Sequence, residues 1–204
     1  GARVDSMQTW NSSDTIDGGA GIDSFTAVIH SDVTPAAGGV TGVENMTLSS
    51  ITADNTVTFS TASATNISGV THITNVGSTK DLDLVRVTEL AEITLNNLSV
   101  TTEDTRITFA DSVLAGTDDT LTLNVNGANG TINIGAATGE AGAGIENLII
   151  NATGSNSTFS AANLDAAAAT VTIKGSAALD LNAAAAFPKM TTFDSSASTG
   201  DVDL

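Results

Sequence analysis

Three short segments of the chain are written on one plan. Val57-Thr58-Phe59-Ser60, Ile107-Thr108-Phe109-Ala110 and Ser157-Thr158-Phe159-Ser160 place their phenylalanines at intervals of 50 residues. Recurrence on this scale marks a stack of similar units, each too small to bury its own apolar face and each covered by the next. The flanks repeat as well. Gly42-Val43-Glu44-Asn45 precedes the first phenylalanine and Gly144-Ile145-Glu146-Asn147 the third, with Glu92-Ile93-Thr94-Leu95 as a degenerate middle copy. Downstream, His72 to Leu84 is echoed by Thr172 to Leu181, and Leu123 to Ile134 takes the middle place. These matches define three modules, 42–90, 91–143 and 144–190, each of about four strands. A partial coil runs from Met190 to Leu204.

Runs of Val, Ile, Leu and Thr begin near residues 45, 57, 72, 82, 93, 106, 121, 131, 147, 158, 171, 179, 191 and 202. Their mean spacing of about 12 residues holds one short strand and one turn. No helical periodicity is sustained over three turns. The expected fold is therefore all-β, a parallel β-solenoid (β-helix or β-roll) with short strands and little helix. An antiparallel sandwich is the alternative, and it would use more type I′ turns than Asn126-Gly127 and Asn129-Gly130 supply. Alanine favours helix but also fits tight solenoid corners, so at most a turn or two is expected within Ala161–Ala169, with Ala183–Ala186 a second candidate. Residues 1–41 stand apart as a separate N-terminal segment, ending in a loop with Pro35 and Gly38-Gly39.

Composition supports a narrow core. One Trp, six Phe and no Tyr serve 204 residues, whereas a wide globular core uses more aromatic area. Six basic against 23 acidic residues give a formal charge of −17, which excludes the clustered Lys and Arg that nucleic-acid binding needs. Such a surface favours divalent cations as counterions. Cysteine is absent, so disulfides, thiolate zinc sites and thiol nucleophiles are excluded. No apolar run reaches the ~20 residues of a membrane span, and no basic n-region of a signal peptide opens the chain. The start at Gly1-Ala2 and the final partial coil suggest a fragment of a longer polypeptide whose export signal lies outside it.

One stretch prescribes a specific chemistry. Gly18 to Thr26 reads GGAGIDSFT, matching G-G-x-G-x-D-x-U-x at every specified position, where U is large and apolar. The preceding nine residues keep half of the pattern, with Asp14 and Ile16 standing where Asp23 and Phe25 stand one repeat later. A tight turn on Gly18, Gly19 and Gly21 leaves backbone carbonyls free, and Asp14, Asp17 and Asp23 add carboxylates. Together they offer the flexible oxygen cage that Ca²⁺ prefers and that strictly octahedral Mg²⁺ does not match. Ile16, Phe25 and Val28 are expected to point inward. A glycine-rich hairpin with an incidental Asp is the alternative.

Other constellations are weaker. His30 and His72 lie in unrelated segments with no metal-ligand spacing, and no G-x-S-x-G elbow singles out a serine. Asp81 with Asp83, Asp118 with Asp119, and Asp201 with Asp203 could serve acid and base roles. In Leu82-Asp83-Leu84 and Val202-Asp203-Leu204, however, alternation places Leu inward and Asp in solvent, and sugar-binding aromatics are nearly missing. An enzyme is therefore not expected. Glu44 and Glu146 fall at the same point of their modules. They offer either a ligand role or a solvated Glu beside an Asn ladder at a solenoid corner.

On Asp14 to Thr26 the chain resembles the RTX family, the calcium-binding β-roll repeats of proteins exported from Gram-negative bacteria by type I secretion. With the Gly-[Val/Ile]-Glu-Asn modules, it is similar to the repetitive body of S-layer proteins. The resemblance implies a secreted, extracellular structural domain at the cell surface. That domain assembles with copies of itself through Ca²⁺, with cell-surface polysaccharide as a further partner and with no nucleic-acid binding or membrane insertion. The rivals are the stalk or binding module of a secreted RTX adhesin, and a β-helix carbohydrate-active enzyme.

Overall fold

The computed structural model describes residues 8–98, 104–137, 144–164, 167–182 and 187–204. In chain order the strands are β1 Ile16–Asp17, β2 Ser24–Ile29, β3 Val40–Thr41, β4 Asn45–Ser50, β5 Asn55–Thr58, β6 His72–Val76, β7 Leu82–Val87 and β8 Glu92–Leu98. They continue as β9 Asp104–Phe109, β10 Thr120–Ala136, β11 Asn147–Ala152, β12 Ser157–Leu164, β13 Thr170–Gly175, β14 Leu179–Asp180, β15 Thr192–Ser198 and β16 Val202–Asp203. Every pairing between these strands is parallel. The chain is a β-solenoid of about seven turns.

Two faces run the length of the stack. One is the ladder β2-β4-β6-β8-β10-β11-β13-β15, and the other is β5-β7-β9-β10-β12-β14-β16. A short third face, β1-β3, closes the first coils. The core lies between the faces because alternation sends every second residue inward. Met46, Ile73, Ile93, Leu123, Ile150 and Ile173 form one buried column, each in register with the next. Val57, Leu84, Ile107 and Ile134 form another on the opposite face. Outside, amides stack along the axis: Asn151 donates to Asn124 Oδ1 at 3.0 Å and Asn126 to Asn96 Oδ1 at 3.1 Å.

The recurrence of phenylalanine spans two coils. Val57 sits on Leu84 and Leu84 on Ile107, so Phe59 and Phe109 fall near one column, with Val87 paired to Phe109. Phe159 is equally buried but pairs with Gly130, whereas Phe109 pairs with Ala136. The third phenylalanine is therefore displaced along the face. The cause is β10, in which the runs near 121 and 131 fuse into one 17-residue strand that passes from the first face to the second. Gly127 at φ 61° and Gly130 at φ 98° bend it there, so both Asn-Gly pairs make a corner and neither makes a hairpin.

Local expectations meet the structure at three places, two of them, Val28 and Leu204, as corrections. Ala161–Leu164 is strand, because β10 offers a parallel ladder with Asn133↔Asn163 and Ile134↔Leu164 in register; a ladder outweighs alanine's weak helical preference. The one helical turn among the described residues is the 3₁₀ segment Asp111–Val113, and Ala183–Ala186 lies outside them. Val28 faces outward, since β2 turns Phe25, Ala27 and Ile29 to the core. Leu204 is 51% exposed, beside a last coil in which Met190 and Phe193 are also open to solvent.

Positive φ among non-glycine residues is confined to Arg86 at 58°, Asn97 at 55° and Asn182 at 41° within the described chain. Asparagine tolerates this region; a long side chain there costs on the order of 1 kcal/mol.

Burial depth sets the cost of truncation. Phe109→Ala, at a fully buried site, is expected to destabilise by about 3–5 kcal/mol. Phe193→Ala, at a site 36% exposed, is expected to cost about 1–2 kcal/mol. Urea unfolding of the two variants checks the difference.

Candidate metal centre at the glycine turn

The glycine turn joins two faces. β1 pairs with β3, Gly18 N–H donates to Thr41 O at 2.9 Å, and the chain swings through Gly19 at φ 83° and Gly21 at φ 129° into β2. Gly18 is required by contact. A methyl there would overlap the carbonyl oxygen of Gly42 and stand 2.8 Å from Asp23 Cβ. Gly42, at φ 61°, lies against Gly19 and Asp17 Oδ1 from the next coil. The turn is thus packed backbone on backbone, and Ile22 at its tip is 83% exposed.

The carboxylates of the turn have different partners. Asp14 Oδ2 accepts from Asn11 N–H at 2.8 Å and Asp17 Oδ1 from Gly19 N–H at 3.1 Å, so each ties its own local loop. Asp23 reaches across coils. Its N–H donates to Glu44 Oε2 at 2.8 Å, and its carbonyl accepts from Asn45 N–H at 3.0 Å and from the Asn45 amide at 3.3 Å. Asp23 Oδ2 is buried with no hydrogen-bond partner. Among the described residues no three acidic or histidine side chains converge as a metal cage. Asp14, Asp17 and Asp23 are thus not gathered into one carboxylate cluster, and what the turn offers a hard cation is the orphaned Asp23 oxygen.

The same arrangement recurs where the third module begins. Asp119 N–H donates to Glu146 Oε2 at 2.9 Å, Asn147 N–H donates to Asp119 O at 2.9 Å, and Asp119 Oδ2 is again buried without a hydrogen-bond partner. The Asn147 amide adds a bond of 2.8 Å to Asp118 Oδ1. On the far side, Glu44 O accepts from Thr71 and His72 N–H, and Glu146 O from Ala169 and Thr170 N–H. Each Glu-Asn pair thus ties three successive coils. Its glutamate is half-buried and bonded, where sequence reasoning left a ligand and a solvated side chain as the options. Asp119 was legible only as a neighbour of Asp118; the signal for its role was the twin Gly-[Val/Ile]-Glu-Asn.

Other acidic residues cap backbone as well. Asp32 Oδ1 accepts from Thr56 N–H at 2.8 Å, Asp54 Oδ1 from Asp81 N–H at 3.3 Å and Asp81 Oδ1 from Asp104 N–H at 2.6 Å. Asp83 is different. Burial raises its carboxyl above the ordinary 3.8, Arg106 at 3.6 Å opposes that rise, and Asp81, Asp104 and Asp32 add to it. Asp201 and Asp203 line a 230 Å³ cleft with Asp180, which stands opposite Asp203 in register. His30 Nδ1 meets Thr52 Oγ1 at 2.9 Å and His72 lies 3.6 Å from Glu92, both on the outside.

Two outcomes follow from these contacts. Glu146→Ala leaves the Asp119 N–H without its acceptor and is expected to cost about 1–3 kcal/mol in urea unfolding. For Asp83, a raised folded pKa means the folded state holds its proton more tightly, so stability falls as pH rises from 3.8 through the folded value. Asp83→Asn should therefore raise the melting temperature at neutral pH, with the gain vanishing below the ordinary carboxylate range. Melting curves across pH check the sign.

Compared with known proteins, the chain matches no family model, no curated protein and no solved structure.

Proposed function

We propose that this chain is an architectural domain of a calcium-dependent surface layer, a secreted solenoid that assembles with copies of itself on the cell exterior and meets cell-surface polysaccharide there. The observation that carries the reading is Asp23 Oδ2, a buried and unpartnered oxygen in a glycine turn of RTX type. Bound there, Ca²⁺ would supply positive charge and oxygen coordination. The residues of the chain do the rest. Glu44 and Asn45 fix the Asp23 backbone from the next coil, and close packing of Gly18 on Gly42 holds the turn shut. A formal charge of −17 keeps copies apart, and monovalent salt shortens the repulsion only to about 8 Å at physiological ionic strength. A divalent ion sharing oxygens from two chains converts the same carboxylates into contacts.

Isothermal titration should give heat with calcium and none with magnesium. Asp23→Asn should abolish that heat while leaving the calcium-free protein as stable as before or more so, since it removes an orphaned buried charge. The wild type should gain about 2.7 kcal/mol of stability at calcium a hundredfold above Kd. Light scattering should show particle size rising with millimolar calcium and falling with chelator, while sodium chloride does not substitute. Calcium heat without any growth in size would replace the layer by the stalk of an RTX adhesin. No heat at all would overturn the calcium reading.

A further inference from the structure

The bend of β10 carries a chemically labile dipeptide. Asn126-Gly127 stands where this strand passes from the first face to the second. Asparagine before glycine readily loses its side-chain amide, because no side chain hinders the glycine nitrogen from closing on the carboxamide. The reaction needs only water. The Gly127 nitrogen gives up its proton and bonds to Asn126 Cγ, the Cγ–Nδ2 bond breaks, and ammonia leaves with that proton. The succinimide that remains adds one water at either carbonyl, giving aspartate or isoaspartate.

Each group the reaction needs is held in the stack. Asn126 Nδ2 donates to Asn96 Oδ1 at 3.1 Å on the preceding coil. Asn126 Oδ1 accepts from Ser155 N–H at 2.8 Å, and Gly127 N–H donates to Ser155 O at 3.0 Å, both on the following coil. The attacking nitrogen thus keeps its proton in a backbone bond, and the carboxamide cannot turn to meet it without breaking two more. Gly154 completes the lock by contact. At φ 67° its backbone lies against the amide, so that a methyl there would overlap Asn126 Oδ1. The other such pair, Asn129-Gly130, is tied to the preceding coil, where Asn129 Nδ2 donates to Leu98 O at 2.9 Å.

We infer that Asn126-Gly127 is a latent deamidation site, closed while the coil carrying Gly154 and Ser155 is stacked on β10 and opened when that coil lifts. Two of the three hydrogen bonds belong to the later coil, so local opening suffices and global unfolding is not needed. The reaction then acts as a ratchet. Aspartate at this position has no N–H to donate to Asn96 Oδ1. Isoaspartate adds one carbon to the main chain at a bend between two ladders, where β10 is in register with β8 and β11 on one face and with β9 and β12 on the other. A coil that has lifted and reacted does not restack in place, and stability at this corner becomes a matter of rate. The site depends on neither calcium nor assembly.

The test is peptide mapping for isoaspartate at 126 and 129 in the calcium-free chain, incubated at mildly alkaline pH both folded and in denaturing urea. The folded rate at Asn126 should be at least tenfold below the rate in urea. Gly154→Ala, which pushes the amide off Ser155, should raise the folded rate at Asn126 at least fivefold and leave Asn129 as it was. In the wild type, sub-denaturing urea should raise hydrogen exchange at the Gly127 and Ser155 amides together with the reaction at Asn126, while the amides of β4 stay protected. Equal rates at Asn126 in the folded and unfolded chain overturn the lock. A rate in folded Gly154→Ala equal to that of the wild type overturns the part assigned to the later coil. Reaction at Asn126 only when the β4 amides also open overturns the local ratchet.

Discussion

The structure depends on the parallel ladder between coils. Each coil hydrogen-bonds to the one before and the one after, with Ser60↔Thr65 the antiparallel contact among the described bridges. In a parallel stack the N–H and C=O groups at corners do not pair automatically, because the chain leaves the sheet there, and an unpaired buried backbone group is costly. The acidic residues meet this need. Asp32, Asp54, Asp81, Glu44 and Glu146 each accept a backbone N–H from a neighbouring coil. An acceptor that bridges coils binds the stack along its axis as the ladder does, and an ionised acceptor makes the stronger bond.

This casts the acidity of the chain in a different light. A charge of −17 is a liability for compactness, yet many of these carboxylates do local work as acceptors. Where a carboxylate oxygen is buried without a hydrogen-bond partner, as at Asp23 and Asp119, the corner is left under-satisfied. Where burial desolvates the carboxylate, as at Asp83, its proton affinity rises although Arg106 opposes the rise. Burial and bonding, more than overall charge, decide what each acidic residue does.

The core explains why so few aromatics suffice. Columns such as Met46 to Ile173 stack residues of similar size directly upon one another. At the N-terminal end the column needs a broader cover. Trp10 lies buried there with its ring edge-on to Phe25, centroids 5.2 Å apart, and Thr9 bonds to Val28 along the edge of β2.

The sequence by itself determined what local pattern can carry. Alternation places Leu82 and Leu84 inward with Asp83 between them, short runs mark the strands, and the absence of helical period excludes helical layers. The equivalence of Glu44 and Glu146 was also legible, because both sit in the same four residues. The partners of these residues were decided only by the tertiary structure. Asp23 meets Glu44 and Asp119 meets Glu146 through coils of unequal length, Ile73↔Ile93 at one step and Ile93↔Leu123 at the next. No fixed period encodes that. Phe159 leaves the column of Phe109 because β10 bends between faces, and Ala161–Leu164 extends because a ladder waits beside it. Pattern sets which residues face inward; register, which depends on every loop between two strands, sets which of them touch.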